Sequence, residues 1–384
     1  MVLEERDFAP RPGRLFVLFA VIAIFVAIAS PARAVPAYAR RTGLDCISCH
    51  IGGSSSLTEL GRDFQMRGHR LKSDSEARIR FADLPGYATF AAKIRHQDKT
   101  GRATTDNLQT TGLLVGGPIN RSLGFHAEYT LYDRLPYSTD NTSGFLDAYL
   151  QYATDTAKDA FWFARVGRLH PYAINALGTG ARIPQSRARV VSESLGGLVP
   201  SPQRRTLGAS GGFSGPGGVR VEAGAQQGVT SDGSFARPDL FASVEKNVDD
   251  AGSGFGVYGR SGWRGTETVN ARFTETGFFG RWLNERYMLT GAVFGARTRD
   301  DGGVARRPTG YFLQASANVL ATTTGYVRLD DVAGASAGAS RARGLAVGVT
   351  QRVPGSGRVV LEYGDSLTGA GRPRSVVLDL VLMY

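Results

Sequence analysis

The chain has 384 residues, a formal net charge of +11, fifty glycines, 10% aromatic residues and two cysteines. That glycine and aromatic content is high for a helical enzyme and natural for a chain of many strands and turns. Five histidines scattered along the chain offer no recognisable zinc motif.

At the N-terminus, Arg11 and Arg14 precede an unbroken apolar run from Leu15 to Ala29, followed by Ser30-Pro31-Ala32-Arg33-Ala34. A basic n-region, an apolar h-region and an A-x-A site predict an export signal over residues 1–34, cleaved after Ala34. The run is shorter than the roughly 20 apolar residues of a spanning helix. No later segment approaches one. Most of the positive charge is arginine, since Lys72, Lys93, Lys99, Lys158 and Lys246 are the only lysines. A basic balance can mean nucleic acid, but export argues against it, and arginines lining a water-filled passage are expected instead.

Residues 35–84 hold the motif Cys46-Ile47-Ser48-Cys49-His50, which contains both cysteines. In C-x-x-C-H two thiols add to the vinyl groups of one haem, and the adjacent histidine becomes the proximal iron ligand. The expectation is one covalent haem c on Cys46 and Cys49 with His50 on the iron. The rivals are a thioredoxin-like pair, which needs a βαβ context, and a zinc site, which needs a second ligand pair nearby. Ser56-Leu57-Thr58-Glu59 reads as a capping box with Ser56 as cap. The helix after it presents Leu57, Leu60, Phe64 and Leu71 as an apolar side and stops at Gly68. Met66 and His69, at its end, are candidate distal ligands, and His126 is a third. Methionine raises the haem potential relative to histidine. About 50 residues build little core alone, and a large apolar cofactor would supply the missing interior.

From Tyr87 to the end the hydrophobic period is two. Leu123, Phe125, Ala127, Tyr129 and Leu131 alternate with Gly124, His126, Glu128, Thr130 and Tyr132. Val219, Val221, Ala223 and Ala225 alternate with Arg220, Glu222, Gly224 and Gln226, and Tyr311-Leu313-Ala315 behaves alike. Segments of about ten residues with one apolar and one polar or small face are the signature of a transmembrane β-barrel. A soluble sandwich has shorter strands. Sixteen strands are predicted: 87–98, 108–116, 122–133, 144–154, 160–170, 207–214, 218–228, 239–248, 254–263, 271–282, 286–297, 309–320, 325–330, 342–353, 358–365 and 374–384. Their links alternate between short and long, as periplasmic turns and outer loops do. The final strand places Val376, Leu378, Leu380, Leu382 and the terminal Tyr384 on one face. The longest link, from Pro171 to Thr206, carries Arg182, Arg187, Arg189, Glu193, Arg204 and Arg205. It either folds inward to narrow the lumen or lies on the surface. The acidic pairs Asp300-Asp301 and Asp330-Asp331 are expected on outer loops, where carboxylates suit hard cations such as Fe²⁺. Asp249-Asp250 is expected on a periplasmic turn.

Val35-Pro36-Ala37-Tyr38-Ala39-Arg40-Arg41-Thr42-Gly43, the C-x-x-C-H motif and then Leu57-Thr58-Glu59-Leu60-Gly61-Arg62-Asp63-Phe64 together resemble the start of the fused outer-membrane cytochrome–porins. The best-known members oxidise iron. Those proteins open with P-x-[FY]-A-R-x-[TY]-G before the haem motif and follow it with L-x-x-x-G-R-x-F. One departure is His69, near a position where an aromatic residue is common. The resemblance implies an all-β outer-membrane antiparallel barrel of about 16 strands over residues 85–384. A small α-helical monohaem segment over 35–84 would plug it. It also implies an electron conduit in the outer membrane of a Gram-negative bacterium. Electrons would pass from extracellular Fe(II) through the haem to a periplasmic cytochrome c or similar carrier, an iron:cytochrome c oxidoreductase activity. The alternatives are outward electron flow to an external acceptor and an anion-selective porin whose haem segment is structural or sensory.

Overall fold

The computed structural model describes residues 37–51, 57–74, 87–101, 105–133, 144–157, 160–175, 177, 186–229, 235–265, 270–333, 341–353, 357–368 and 373–383. The export signal, Ser56, Arg182 and Tyr384 lie outside these residues.

Alternating apolar and polar residues force successive side chains to opposite faces of a pleated strand. Sixteen long strands form on that pattern: β1 (Ala88–Lys99), β2 (Thr105–Pro118), β3 (Leu123–Asp133), β4 (Gly144–Ala157), β5 (Ala160–Leu169), β6 (Thr206–Ser214), β7 (Val219–Val229) and β8 (Phe235–Asn247). The series continues with β9 (Gly254–Gly265), β10 (Asn270–Leu283), β11 (Tyr287–Asp300), β12 (Thr309–Leu320), β13 (Thr323–Val332), β14 (Ala342–Val353), β15 (Gly357–Ser366) and β16 (Arg374–Met383). A two-residue piece, Ala305–Arg306, folds back on the end of β11. Every long strand pairs antiparallel with its sequence neighbours, and β1 pairs with β16 to close the barrel. Closure removes the free edges that hydrocarbon would not tolerate. No described helix is long and apolar enough to cross a membrane.

The wall is inverted relative to a soluble protein. Trp162, Val166, Leu240, Val257, Phe278, Leu313 and Val347 are exposed on its outer face, while Arg220, Glu222, Glu245, Glu275 and Asp379 are buried inside it. At the seam Arg95 opposes Asp379 in register. Its Nε and Nη2 donate to the two carboxylate oxygens at 2.7 and 2.9 Å.

All sixteen expected strands form. Strand β13 runs to Val332, two residues beyond its expected end, and so holds Asp331 as well as Asp330, the pair expected on an outer loop. Both are buried, not on a loop: Arg328 holds Asp330, and Arg341 and Arg343 hold Asp331. Strand pairing with β14 captured them, because each found an arginine across or along the ladder. Short links such as Gly215–Gly218 and Asn284–Arg286 occupy one end of the barrel, and the 170–205 link belongs to the other. By the short-turn rule the first end is periplasmic.

The described parts of the 170–205 link fold inward. Its two described short helices, Tyr172–Asn175 and Arg189–Ser192, bury Ile174, Val190 and Val191. With Leu195 and Val199 these pack on inward-facing Phe241, Tyr258, Phe273, Phe294 and Phe312. A filled apolar core therefore sits inside a polar-lined cylinder.

Candidate functional site

Among the described residues three short helices precede the barrel. Ala37–Thr42 ends where Gly43 adopts φ +69, with the Gly43 N–H donating to the Ala39 carbonyl at 2.9 Å. A left-handed residue there is what a helix C-terminus demands, and glycine adopts it without steric cost. Cys46–Cys49 is a single turn. His50 follows it and forms an isolated antiparallel bridge with Leu57.

Glu59–Met66 is capped by Thr58, whose Oγ1 accepts from the Gly61 N–H at 3.2 Å. The cap is thus Thr58 rather than the expected Ser56. Thr58 Oγ1 also donates to the Ser48 carbonyl at 2.7 Å, and its N–H donates to the Cys49 carbonyl at 3.1 Å. One threonine therefore starts the helix and ties it to the cysteine turn. Gly61 permits the contact: a Cβ there would come within 3.0 Å of Cys49 Cα, and closer still to its carbonyl. Gly68, with φ +75, ends the helix as expected.

The apolar-side expectation needs revision at Leu60, which is 42% exposed, whereas Arg62, Phe64 and Met66 are buried. The helix is packed on several sides, so no single apolar stripe exists. Arg62 pairs with Glu245 of β8, Arg220 of β7 reaches Glu59 and Asp63, and Arg67 and Arg70 reach Asp155 of β4. Gln151 of β4 donates to the Met66 carbonyl. Gly68 meets Gly124 of β3 backbone to backbone. Arg220, Glu245, Asp155 and Gly124 all lie toward the short-turn ends of their strands. Ile51, next to His50, packs on Leu283, Met288, Tyr326 and Val360 at the same end.

A column of rings stands beside this helix. Tyr38 stacks on His69 (5.1 Å, 9°), His69 on His126 (4.9 Å, 17°), and His126 on Tyr149 (5.4 Å, 29°). Tyr38 Oη lies 3.2 Å from His126 Nδ1, and His69 Nε2 lies 3.3 Å from Tyr149 Oη. Phe64 meets both Tyr38 and His69 edge-on. Burial, then the neighbouring His126 and Arg41, hold the His69 imidazole well below its ordinary pKa, so it is neutral at physiological pH. Burial pushes the Tyr172 phenol, on the inward loop, up to about 12. His69 adopts φ +61, an uncommon conformation for a residue with a Cβ and one that the surrounding contacts must sustain.

The predicted site residues thus fall into two groups. Cys49 and His50 adjoin the start of the Glu59–Met66 helix, while His69 and His126 meet in the ring column. Met66 packs with Ala153, Phe161, Phe163 and Tyr172, the ordinary behaviour of a core methionine. Among the described residues no hydrogen bond, ring contact or core cluster joins Met66 or His69 to His50. A covalent haem fits the residues present. Cys49 is half-buried, and Ile47 (53%) and Leu60 (42%) are exposed beside the motif, an apolar surface the macrocycle would cover. The outer acidic residues offer less to Fe²⁺ than expected: besides the paired Asp330 and Asp331, Asp300 accepts the Val304 N–H at 2.8 Å. Asp249 likewise accepts from the Gly252 and Ser253 N–H groups within its short turn. No group of three metal-binding side chains occurs among the described residues. Tyr149, Gln151, Asp155 and Glu245 escaped notice as site residues, although each lies on the inward, polar face that alternation reveals.

No family model matches the chain, and no curated protein is similar to it. Solved structures are. An anion-selective porin from Comamonas acidovorans superposes with a TM-score of 0.60 at 11% identity, covering 77% of this chain and 98% of the porin. Outer-membrane-expressed OmpT of Vibrio cholerae gives 0.55 at 12% identity, covering 82% and 99%. Its loop L8 deletion mutant gives 0.55 at 12%, covering 77% and 99%. At these identities the likeness is one of fold: a closed, antiparallel, porin-like barrel.

Proposed function

We propose that the chain is an outer-membrane electron conduit: a porin-like barrel whose residues 35–84 form a monohaem plug at the periplasmic end of the lumen. The supporting observation is the set of ion pairs Arg62–Glu245, Arg220–Glu59 and Arg67–Asp155, which join the segment bearing the C-x-x-C-H motif to inward-facing wall residues. Cys46 and Cys49 would hold one haem c, with His50 as proximal ligand and His69 or Met66 as the distal one. Bound there, the haem supplies one-electron exchange at an iron tuned by its axial ligands. The chain's own residues place and seal it. Thr58 and Gly61 fix the cysteine turn on the helix, and the ion pairs fix the helix on the wall. The inward loop occupies the lumen between this segment and the outside. Extracellular Fe(II) as donor and a periplasmic cytochrome c or similar carrier as acceptor follow from the resemblance at the N-terminus, as does iron:cytochrome c oxidoreductase activity. The test is the spectrum of the detergent-purified protein before and after Fe²⁺ addition at a pH where iron stays soluble. A reduced c-type α-band supports the conduit. Absence of covalent haem removes it, and a haem reduced only by periplasmic donors reverses the flow.

A second reading is an anion-selective pore. Arg281 favours it, since both its terminal nitrogens are buried without a partner beside two cavities, each of about 10 Å³, that it shares with Arg62. The fold likeness to an anion-selective porin points the same way. High, anion-selective conductance in planar bilayers would decide for the pore, because a plugged barrel conducts poorly.

A further inference from the structure

On the outer surface of the wall, at the end away from the short turns, four arginines gather over adjacent strands: Arg237 on β8, Arg272 on β10, and Arg297 and Arg299 on β11. All four are exposed. Arg272 stands directly opposite Arg299 in the ladder and directly opposite Trp263 of β9 on its other side. The Arg237 guanidinium lies 5.1 Å from the centre of the Trp263 ring. Like charges directly opposite across a ladder repel, and Arg272, Arg297 and Arg299 make no ion pair among the described residues. Asp300, adjacent in sequence, accepts the Val304 N–H of its own turn and makes no ion pair with them among the described residues.

The level of this cluster on the barrel is informative. On β10 the outward positions run from Trp282 near the short turn to Arg272, ten residues away, with no charge between them. Ten residues at about 3.4 Å, tilted about 40°, rise roughly 26 Å, close to the roughly 25 Å height of the apolar band. On β11 Tyr287 and Arg297 span the same height. Trp282 and Tyr287 thus mark the inner girdle, and the arginines stand where the hydrocarbon of the outer leaflet gives way to its headgroups.

We propose that this cluster binds the phosphates of the outer leaflet's phosphorylated glycolipid, lipopolysaccharide. Arginine forks match phosphate oxygens bidentately. A doubly phosphorylated sugar headgroup would screen the Arg272–Arg299 repulsion while its acyl chains lie against Val293, Phe278 and Val257. Trp263, between the arginines, offers a flat apolar face at the same level. The inference requires the membrane orientation of the barrel alone and holds whether or not a haem is carried.

The test is native mass spectrometry of the detergent-purified protein titrated with bisphosphorylated lipid A, with the same lipid dephosphorylated, and with inorganic phosphate. The wild-type protein is expected to bind the bisphosphorylated lipid at least tenfold more tightly than either other probe. Replacing Arg272→Gln and Arg299→Gln together is expected to weaken binding about 25-fold, taking about fivefold per arginine near a charged surface. Arg286→Gln, at the opposite end of the barrel, leaves it unchanged. Equal wild-type affinity for the phosphorylated and dephosphorylated lipids overturns the proposal, as does inorganic phosphate bound as tightly as the lipid. The wild-type comparison stands even if the double variant does not fold. If it folds, undiminished lipid binding is equally decisive against the proposal.

Discussion

Gly124→Ala offers the cleanest test of how the N-terminal segment is seated. Gly124 lies within β3, where alanine is no worse than glycine for the strand itself. Its α-carbon faces Gly68, and an added Cβ would stand 2.8 Å from Gly68 Cα, against 3.4 Å or more for an ordinary contact. The segment must retreat by at least the difference of 0.6 Å, and no flexible side chain is there to yield. Overpacking of this kind costs about 1–3 kcal/mol, which lowers the ratio of seated to unseated segment about 5- to 150-fold. The reciprocal change at Gly68 would be ambiguous, because its φ of +75 strains any other residue. The assay is limited trypsin digestion in detergent. Arg62, Arg67 and Arg70 are each at most 5% exposed in the seated state, and cleavage there should accelerate while the barrel keeps its heat-modifiable migration. Planar-bilayer conductance should rise in parallel. Cleavage and conductance both at wild-type levels would refute the seating argument.

Loss of the seam pair should weaken the barrel without touching the segment. Arg95 is 13% exposed and Asp379 not at all, so Asp379→Ala leaves a buried guanidinium unpaired and is expected to remove about 3–5 kcal/mol, read as a lower urea midpoint. Replacing Cys46→Ala and Cys49→Ala together is expected to abolish haem staining on a denaturing gel; persistent staining at wild-type intensity would show that attachment lies elsewhere. In the haem-free Cys46→Ala/Cys49→Ala protein, where His69 has no iron to bind, acid should unseat the segment. Because burial depresses the His69 pKa below its unfolded value, the unfolded segment binds more protons. Seating therefore weakens as pH falls below about 6.5, by at most about 1.4 kcal/mol per pH unit, until the folded pKa is reached. Trypsin sensitivity measured from pH 8 to 4 should rise in that window, and His69→Gln should flatten the rise.

The barrel was legible because alternation is a local signal. Val219 to Gln226 announces both faces of β7 without knowledge of any other strand, and strand parity gave the orientation. The site was legible only where it is local. Cys46, Cys49 and His50 stand together in sequence, and Gly68 marks a stop by its own chemistry. The ring column unites Tyr38 and His69 of the N-terminal segment with His126 and Tyr149, which alternation places on the inner faces of β3 and β4 but cannot place beside one another. Glu59 and Asp63 read as first-turn acids of a helix, yet their partner Arg220 is about 160 residues away and no spacing rule connects them. Leu60 misled because an amphipathic stripe assumes a single core, while this helix is packed against wall residues on more than one side.

Charge placement bears directly on what the barrel can pass. A pore that selects anions needs fixed positive charge facing water. Among the described residues several interior arginines are matched instead, Arg165 with Glu222, Arg260 with Glu275, Arg328 with Asp330 and Arg205 with Asp147, while Arg281 keeps two unpartnered nitrogens. Such pairs present little net field along a lumen, and several are closed off by the inward loop, as when Arg260 donates to the Pro200 carbonyl. The expectation that the basic balance lines a water-filled passage is thereby revised. Exposed arginines gather on the outer rim, at Arg237, Arg272, Arg297 and Arg299, where lipid phosphate rather than permeant solute is at hand. An interior in which most charges of the described residues are paired is suited to holding a segment in place, and it leaves Arg281 as the residue on which anion passage would depend.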